Sequence, residues 1–585
     1  MSIQMIHVVW NEQQAEKSWQ QGRNDYTPYM FEILNYLGIV FSKWTPNSWM
    51  EHQPGGITIV VGLDDRSEWP SIFKQYCENG NSVLTIGSSF GLHDVLGLNK
   101  PERKKIQEGW IQWNDCKLAE SLRSSFHFFG ASLVEPCPDT EALGSLIRRN
   151  GEVSLFPAFT MRPYASSYAA MICFDIAKSF CMIQQGISVE KDGLPASDGT
   201  ASVDDDILKT DDGSVLDWLH DREKADPMSA AFFMYPIVDE MRIFFIRTLH
   251  LLHEKMGEAM VHSWFWPEGI DCIGHISHDS DGNSIGAAEL MLEKLLEADI
   301  HSTWCVIMPG YPQSVYEKMI EAGHEIALHY NALSTEENSL WDEEHFNLQL
   351  DRLNQQLKNR VSIKTNKNHY LRWEGDIQFY QWCERAGIAV EQSKGGTKQG
   401  NKGFLAGTCH PYIPVSNALE RNRLMQVFSL PTLAWDPPTA LRCTLKEAQS
   451  IIELSAHVNG VVHFLFHPAA LVNEEVGPAL VDLANYGRMQ GLHWWTSEQL
   501  FRWLQIKRGI DVSVQPRTNE GKQLYISAQH PCKGLTVLIT QLPSKMGIPS
   551  NNGTIRSIRF KQRFGLSFHE IILDVRQRNT IIPFD

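Results

Sequence analysis

Gly274-His275-Ile276-Ser277-His278-Asp279-Ser280-Asp281-Gly282-Asn283 is a strand-like run that ends in two carboxylates one residue apart and then a glycine. Two such carboxylates can divide their labour, one holding a divalent metal while the other takes a proton from an attacking water. The glycine lets the backbone turn tightly beside the ion. A solvated turn rich in Asp, Gly and Asn reads the same letters without any chemistry, so the residues that follow decide between the two.

From Gly269 onward, short apolar runs alternate with amphipathic ones: Cys272 to Ser277, a helix near Ile285 to Ala298, Ser302 to Ile307, a helix near Ser314 to Ala322, then Glu325 to His329. Repeated β-then-α units over this length predict a distorted (β/α) barrel at about residues 265–505. In such barrels the chemistry sits where strands end. His329 follows Glu325-Ile326-Ala327-Leu328, and Arg372 follows His369-Tyr370-Leu371 and leads into Trp373-Glu374-Gly375. Asp436 lies in Leu433-Ala434-Trp435-Asp436-Pro437-Pro438, and His467 ends the run Val461 to Phe466 before Pro468.

On the N-terminal side, Ile6 to Trp10, Ile57 to Gly62 and Val83 to Gly87 alternate with helical stretches, which predicts a flavodoxin-like α/β domain over residues 1–160. Residues 161–264 read as a connector with acidic turns at Asp198-Gly199-Thr200, Asp204-Asp205-Asp206 and Asp211-Asp212-Gly213, followed by a helix from Asp239 to Met256. The acidic clusters lack the spacing of an EF-hand loop and read as solvated turns. Short β-rich runs separated by Gly, Pro and Asn predict a small β-sandwich over residues 509–585.

Composition narrows the function classes. The 585 residues are 43% hydrophobic and 21% charged, as in globular proteins, and their length suits about three domains. A net charge of -17 supplies no basic footprint for nucleic acid or an anionic membrane. Eleven scattered cysteines without a C-x-x-C pair read as reduced thiols. The start, Met1 to His7, has neither a basic n-region nor a long apolar h-region, and no later run is long enough to span a bilayer, so a cytoplasmic location is expected.

In order and spacing, the barrel segments resemble the polysaccharide deacetylase family, carbohydrate esterase family 4. Asp279-Ser280-Asp281-Gly282 is similar to its first motif, Gly323-His324-Glu325-Ile326-Ala327-Leu328-His329 to the second, Arg372-Trp373-Glu374-Gly375 to the third and Phe466-His467-Pro468 to the fifth. The resemblance implies a metal-dependent hydrolase that removes N- or O-linked acetyl groups from a carbohydrate substrate. It also implies Asp281 and His329 as ligands of a divalent metal, zinc or another first-row ion, with Asp279 as general base. His467 would then be the general acid, Arg372 would orient Asp279, and Trp373 is a candidate to stack a sugar ring.

The pattern departs at one position. The family's second metal histidine lies four residues after the first, and that place is Leu333. Asn331, His345, His369 or a water are the candidates to complete the shell, and a catalytically silent protein that binds carbohydrate or scaffolds partners is the alternative outcome. His324 reads as a turn histidine, and His463 either as a core group or as part of the site.

In the N-terminal domain, Gly87-Ser88-Ser89-Phe90-Gly91 has the G-x-S-x-G form of a nucleophile elbow. Its surroundings resemble class I glutamine amidotransferases, in which a cysteine occupies the elbow. With Ser89 there, and no downstream His and Glu pair to activate it, a non-catalytic amidotransferase-like domain is expected. An esterase or peptidase working through Ser89 is the competing reading.

Overall fold

The computed structural model describes residues 6–99, 105–193, 207–227, 229–333, 340–358, 360–398, 400–439, 442–516, 522–540, 553–576 and 579–584. The acidic clusters Asp198-Gly199-Thr200 and Asp204-Asp205-Asp206 lie outside these residues. The architecture is mixed α/β, with one large sheet in each half of the chain and two antiparallel sheets at the C-terminal end.

The N-terminal sheet contains β1 (Ile6–Val9), β2 (Ser42–Trp44), β3 (Ile57–Val60), β4 (Ser82–Ile86), β5 (Gly109–Gln112), β6 (Phe126–Phe128), β7 (Glu141–Arg148), β8 (Val153–Pro163) and β9 (Tyr168–Ile172), in the order β2-β1-β3-β4-β9-β8-β7-β5-β6. Strands β2, β1, β3, β4 and β9 pair in parallel, and β8, β7, β5 and β6 extend the sheet antiparallel. Each central parallel strand is apolar on both faces. Val8, Ile59 and Leu84 enter the large core shared with the rest of the molecule, while their neighbours Val9, Val60 and Val83 pack with Trp49, Trp69 and Phe73 in a second cluster. Alternate residues point to opposite faces, so both faces carry helices and neither is wetted. The sheet runs on to Ile172, beyond the flavodoxin-like stretch read from the sequence.

The second sheet is parallel throughout. It contains β10 (Cys272–Asp279), β11 (Thr303–Val306), β12 (Glu325–Tyr330), β13 (Thr365–Asn368), β14 (Val390–Glu391), β15 (Phe428–Ser429), β16 (Ala434–Trp435) and β17 (Val461–Leu465), with β18 (Leu492–Trp494) beside the start of β10. The order β15-β14-β13-β12-β11-β10-β17-β16 curls into a half-barrel. Among the described residues no ladder joins β15 to β16, so the barrel is open there. Its helices begin with well-formed caps. Ser284 caps Ile285–Glu297, and Thr444 and Thr496 form capping boxes on Leu445–His457 and Ser497–Arg508, satisfying first-turn N–H groups that would otherwise be bare.

The connector is tied to this barrel. Lys209 and Val189 bridge to Arg372 and Gly375 by backbone pairing. The Asp211 carboxylate accepts from the backbone N–H of Thr397 and Lys398 and from the Asn401 amide, and Asp212 pairs with Lys398. The sequence reads Asp211-Asp212 as a solvated turn; its carboxylates instead latch Thr397, Lys398 and Asn401 of the barrel, because buried charges need such partners. The helix that follows spans Ile237–Lys255, beginning two residues before the stretch from Asp239 to Met256 read as helical.

At the C-terminal end, Ile510–Pro516, Lys522–Ala528 and Thr580–Phe584 form one antiparallel sheet. Cys532–Ile539, Leu566–Val575 and Gly553–Arg563 form another, and the connector residues Val261–Ser263 pair with Val537 to Ile539 as its fourth strand. The tail therefore does not fold from residue 509 onward alone.

Candidate metal centre

Strand β10 is buried along its length and delivers Asp279 at its last residue. The chain then turns through Asp281-Gly282-Asn283, with Gly282 at φ 74° and Asn283 at φ 47°, before Ser284 starts the next helix. Gly282 is the residue that takes this left-handed angle at no steric cost. Strand β12 delivers His329, and the turn after β13 delivers His369.

Three side chains converge. One ligand atom each from Asp281, His329 and His369 lie within 4.8 Å of one another. His329 Nε2 stands 3.3 Å from Asp281 Oδ1 and 3.8 Å from Asp279 Oδ2, and His369 Nε2 is 3.7 Å from Asp281 Oδ1. Asp279 Oδ1, Asp281 Oδ1 and His329 Nε2 are all buried without a hydrogen-bond partner. Buried polar atoms are nearly always paired, and the orphaned Asp281 Oδ1 and His329 Nε2, 3.3 Å apart, are what a bound cation would satisfy. One carboxylate and two imidazoles form a donor set suited to zinc or a related first-row ion.

Both histidines are held in the tautomer that a ligand needs. His329 Nδ1 donates to the Lys367 carbonyl at 2.9 Å, leaving the Nε2 lone pair toward Asp281. His369 Nδ1 donates to Asn331 Oδ1 at 3.1 Å, and the same oxygen accepts from Leu333 N at 3.0 Å, which fixes the amide. Burial, reinforced by the neighbouring His329, pushes His369 down to about 4, so its ring stays neutral. Burial opposes ionisation of Asp281, yet His329, His467 and His369 together hold it well below the usual carboxylate range.

Across the same carboxylate stands His467. Its Nε2 is 3.7 Å from Asp281 Oδ2, while its Nδ1 lies 2.8 Å from Asp436 Oδ2 and its backbone N–H donates to Asp436 Oδ1 at 2.8 Å. Burial works against the charged ring, but Asp436 outweighs it and raises His467 to about 9. Arg442 pairs with the same Asp436 carboxylate. A cleft of about 1100 Å³ opens over these groups, with Tyr370 and Trp435 on its walls and Lys209 of the connector at its rim.

The sequence-predicted residues divide into two groups. Asp279, Asp281, His329 and His467 come together, whereas Arg372 and Trp373 do other work. Arg372, expected to orient Asp279, donates through Nε to Glu374 at 2.8 Å and through Nη1 to the Ala332 carbonyl at 2.6 Å. The cation at Asp279 is Lys367, whose Nζ stands 3.5 Å from Oδ1. Trp373, read as a sugar platform, is 1% exposed and packs on Phe379 and Tyr380 with the Lys394 ammonium over its ring. It has no free face to offer a substrate.

Of the candidates for the place left by Leu333, His369 is the one that reaches the cluster. His345 pairs with Asp342, and Asn331 serves His369. His324 is structural, accepting from Ser302 N at 3.1 Å. His463 is a satisfied interior group between Ser277 and the Pro431 carbonyl. Sequence reading gave no role to Asp436 or Lys367. Asp436 carried a signal, being a carboxylate at a strand end before two prolines. Lys367 carried none, since Thr365-Asn366-Lys367-Asn368 is polar at every position yet buried at every position.

No protein-family model and no curated protein sequence matches the chain. Among solved structures, the chain is similar to Agd3, described as a novel carbohydrate deacetylase, at 7% identity over 99% of this chain and 98% of that one, with a TM-score of 0.42. A Mycobacterium smegmatis protein assigned as a polysaccharide deacetylase aligns with 42% of this chain and 93% of its own at 15% identity, TM-score 0.32. A family 4 acetyl xylan esterase from Clostridium thermocellum, in complex with cobalt, aligns with 39% of this chain and 90% of its own at 15% identity, TM-score 0.24.

Proposed function

We propose that the chain is a metal-dependent hydrolase that removes acetyl groups, N- or O-linked, from a glycan or related carbohydrate. The observation that carries this reading is the convergence of the orphaned Asp281 and His329 atoms with His369, beside a second carboxylate and a protonated histidine. The sequence resemblance supplies the substrate class, and the open cleft of about 1100 Å³ has room for more than one sugar ring.

Asp281, His329 and His369 would hold the ion, and when bound it supplies the positive charge that polarises the acyl group and acidifies water. Asp279, one residue from the ligand carboxylate and 4% exposed, takes the proton of the attacking water. His467 is the proton donor. Being protonated up to about pH 9 and anchored by Asp436, it presents Nε2–H to the departing amine or alkoxide. Asp436 keeps that ring charged and in place, and Arg442 pairs with the same carboxylate.

The test is zinc binding by calorimetry together with acetate release from penta-N-acetylchitopentaose and from acetylated xylan. The reading expects the wild type to bind zinc and release acetate from at least one of the two, and Asp281→Ala to do neither. A wild-type protein that binds no transition metal and releases no acetate contradicts it.

A further inference from the structure

The base and one metal ligand are both governed by a residue outside every motif, Lys367. It lies on β13 in register with His329 on β12, and its side chain is fully buried. Its carbonyl accepts from His329 Nδ1, while its ammonium points the other way, toward Asp279 Oδ1 and Ser277 Oγ. Resting on the hydrolase reading above, we infer that Lys367 is the positioning residue for the general base Asp279, a task that its carbonyl extends to the ligand His329.

The proton directions along this contact can be assigned from the partners. His463 Nδ1 faces the Pro431 carbonyl at 3.0 Å, an acceptor only, so the proton is on Nδ1 and Nε2 accepts. Ser277 Oγ, 2.8 Å from that Nε2, must therefore donate to it, which leaves the Ser277 lone pairs for the Lys367 ammonium. The order is Lys367 to Ser277 to His463 to Pro431, each group donating once to the next. A lysine ammonium has three protons and no acceptor capacity. With one proton committed to Ser277, the ammonium is pinned so that its charge faces Asp279 Oδ1, which has no hydrogen-bond partner of its own.

Geometry also explains why a lysine from β13 does this and Arg372 does not. Arg372 lies beyond the left-handed turn at Tyr370 and Leu371, φ 60° and 50°, and is pulled to Glu374 and Ala332 at the rim. Lys367 precedes that turn and its side chain enters the barrel interior below the carboxylate. A buried carboxylate with no fixed partner is free to move, and a misplacement of about 1 Å is worth about 100-fold in rate.

The experiment compares Lys367→Met, Lys367→Arg and Ser277→Ala with the full-length wild type, using zinc calorimetry and steady-state acetate release from penta-N-acetylchitopentaose or acetylated xylan, whichever the wild type deacetylates. Because the carbonyl that holds His329 survives every substitution, zinc affinity should stay within about threefold. The expected result for Lys367→Met is a fall of about 100-fold in kcat with KM nearly unchanged, partly recovered in Lys367→Arg. If the Met variant does not fold, Ser277→Ala reads the same contact and should lower kcat by roughly tenfold, again without loss of zinc. Wild-type kcat in Lys367→Met, or in Ser277→Ala when the former is insoluble, overturns the inference. So does parallel loss of zinc and kcat, which marks a structural role. A wild type that neither binds zinc nor releases acetate instead overturns the hydrolase reading, and the inference falls with it.

Discussion

Two crevices occupy the same topological place in this molecule, at the carboxyl ends of parallel strands, and they gather different side chains. At the end of the half-barrel, Asp279, Asp281, His329, His369 and His467 face one another, with three of their atoms orphaned. At the end of the N-terminal sheet, a cavity of about 200 Å³ is lined by Gly87, Ser88, Lys105, Gly130, Asp175 and Lys178. Asp175 on its wall caps the helix Ile176–Gln185 by accepting from Lys178 N at 3.0 Å. Ser89 is 3% exposed. Strand ends thus provide a place for chemistry, and the side chains that converge there decide whether chemistry occurs.

The largest effect that would break this contrast comes from the ligands. Asp281→Ala should abolish zinc binding and lower acetate release by about 10³-fold or more, since a catalytic ion contributes several kcal/mol. An active, zinc-loaded Asp281→Ala would remove the barrel's claim. Next in size is the proton donor. His467→Gln should lower kcat by about 10² to 10³-fold while zinc affinity is kept, and the loss should be smaller for a substrate with a good leaving group such as 4-nitrophenyl acetate. Equal losses on both substrates would place His467 outside the proton-transfer step.

A third and smaller effect sharpens the comparison at the ring that stands in for Leu333. Asn331→Ala frees His369 Nδ1 and should weaken zinc by roughly 10 to 100-fold, measured by competition with a chromogenic chelator. Unchanged affinity would show that Asn331 does not set the tautomer.

The N-terminal half offers a test of stability rather than catalysis. His127 Nδ1 lies 2.6 Å from Asp221 Oδ2, with Glu108 3.4 Å from the other ring nitrogen, and despite burial these carboxylates raise it to about 9. A folded value above the unfolded one of about 6.5 means the stabilisation is complete below that pH and is lost as pH rises through 9. The advantage of wild type over His127→Asn should therefore be on the order of 2 kcal/mol near pH 6 and shrink toward pH 10. Denaturant unfolding can follow it through intrinsic tryptophan fluorescence, to which Trp110, whose indole N–H donates to Asp221 at 2.7 Å, contributes. A gap that does not change with pH would contradict the assignment. The smallest effect is expected at the elbow, where Ser89→Ala should leave acetate release unchanged and a fluorophosphonate should label neither protein; loss of hydrolysis or of a label in Ser89→Ala would move the chemistry to the N-terminal sheet.

The site was legible where function and local pattern coincide. Asp279, Asp281, His329 and His467 each end or follow an apolar run, and hydrophobic periodicity marks such places directly. His369 was one of several candidates because it follows no apolar run: it comes directly off Thr365–Asn368, a strand that is polar at every position. Trp373 and Arg372 misled for the opposite reason: they match a motif, but Phe379, Tyr380 and Glu374 claim them first. Strand β13 left no trace in the pattern, since its buried side chains are polar and satisfied by one another and by neighbouring strands. The parallel alternation of both halves could be read, but not the strand Val261–Ser263, which pairs with residues more than two hundred and fifty positions away.

The central claim is that His369 takes the place that Leu333 vacates. A crystal of the zinc-loaded protein, with an anomalous difference map recorded at the zinc edge, tests it most directly. The account expects a single strong peak within bonding distance of Asp281, His329 and His369, with Asp279 close by but free to accept a proton. No peak there, or a peak bound by Asp281 and His329 with the His369 ring turned away, would contradict it.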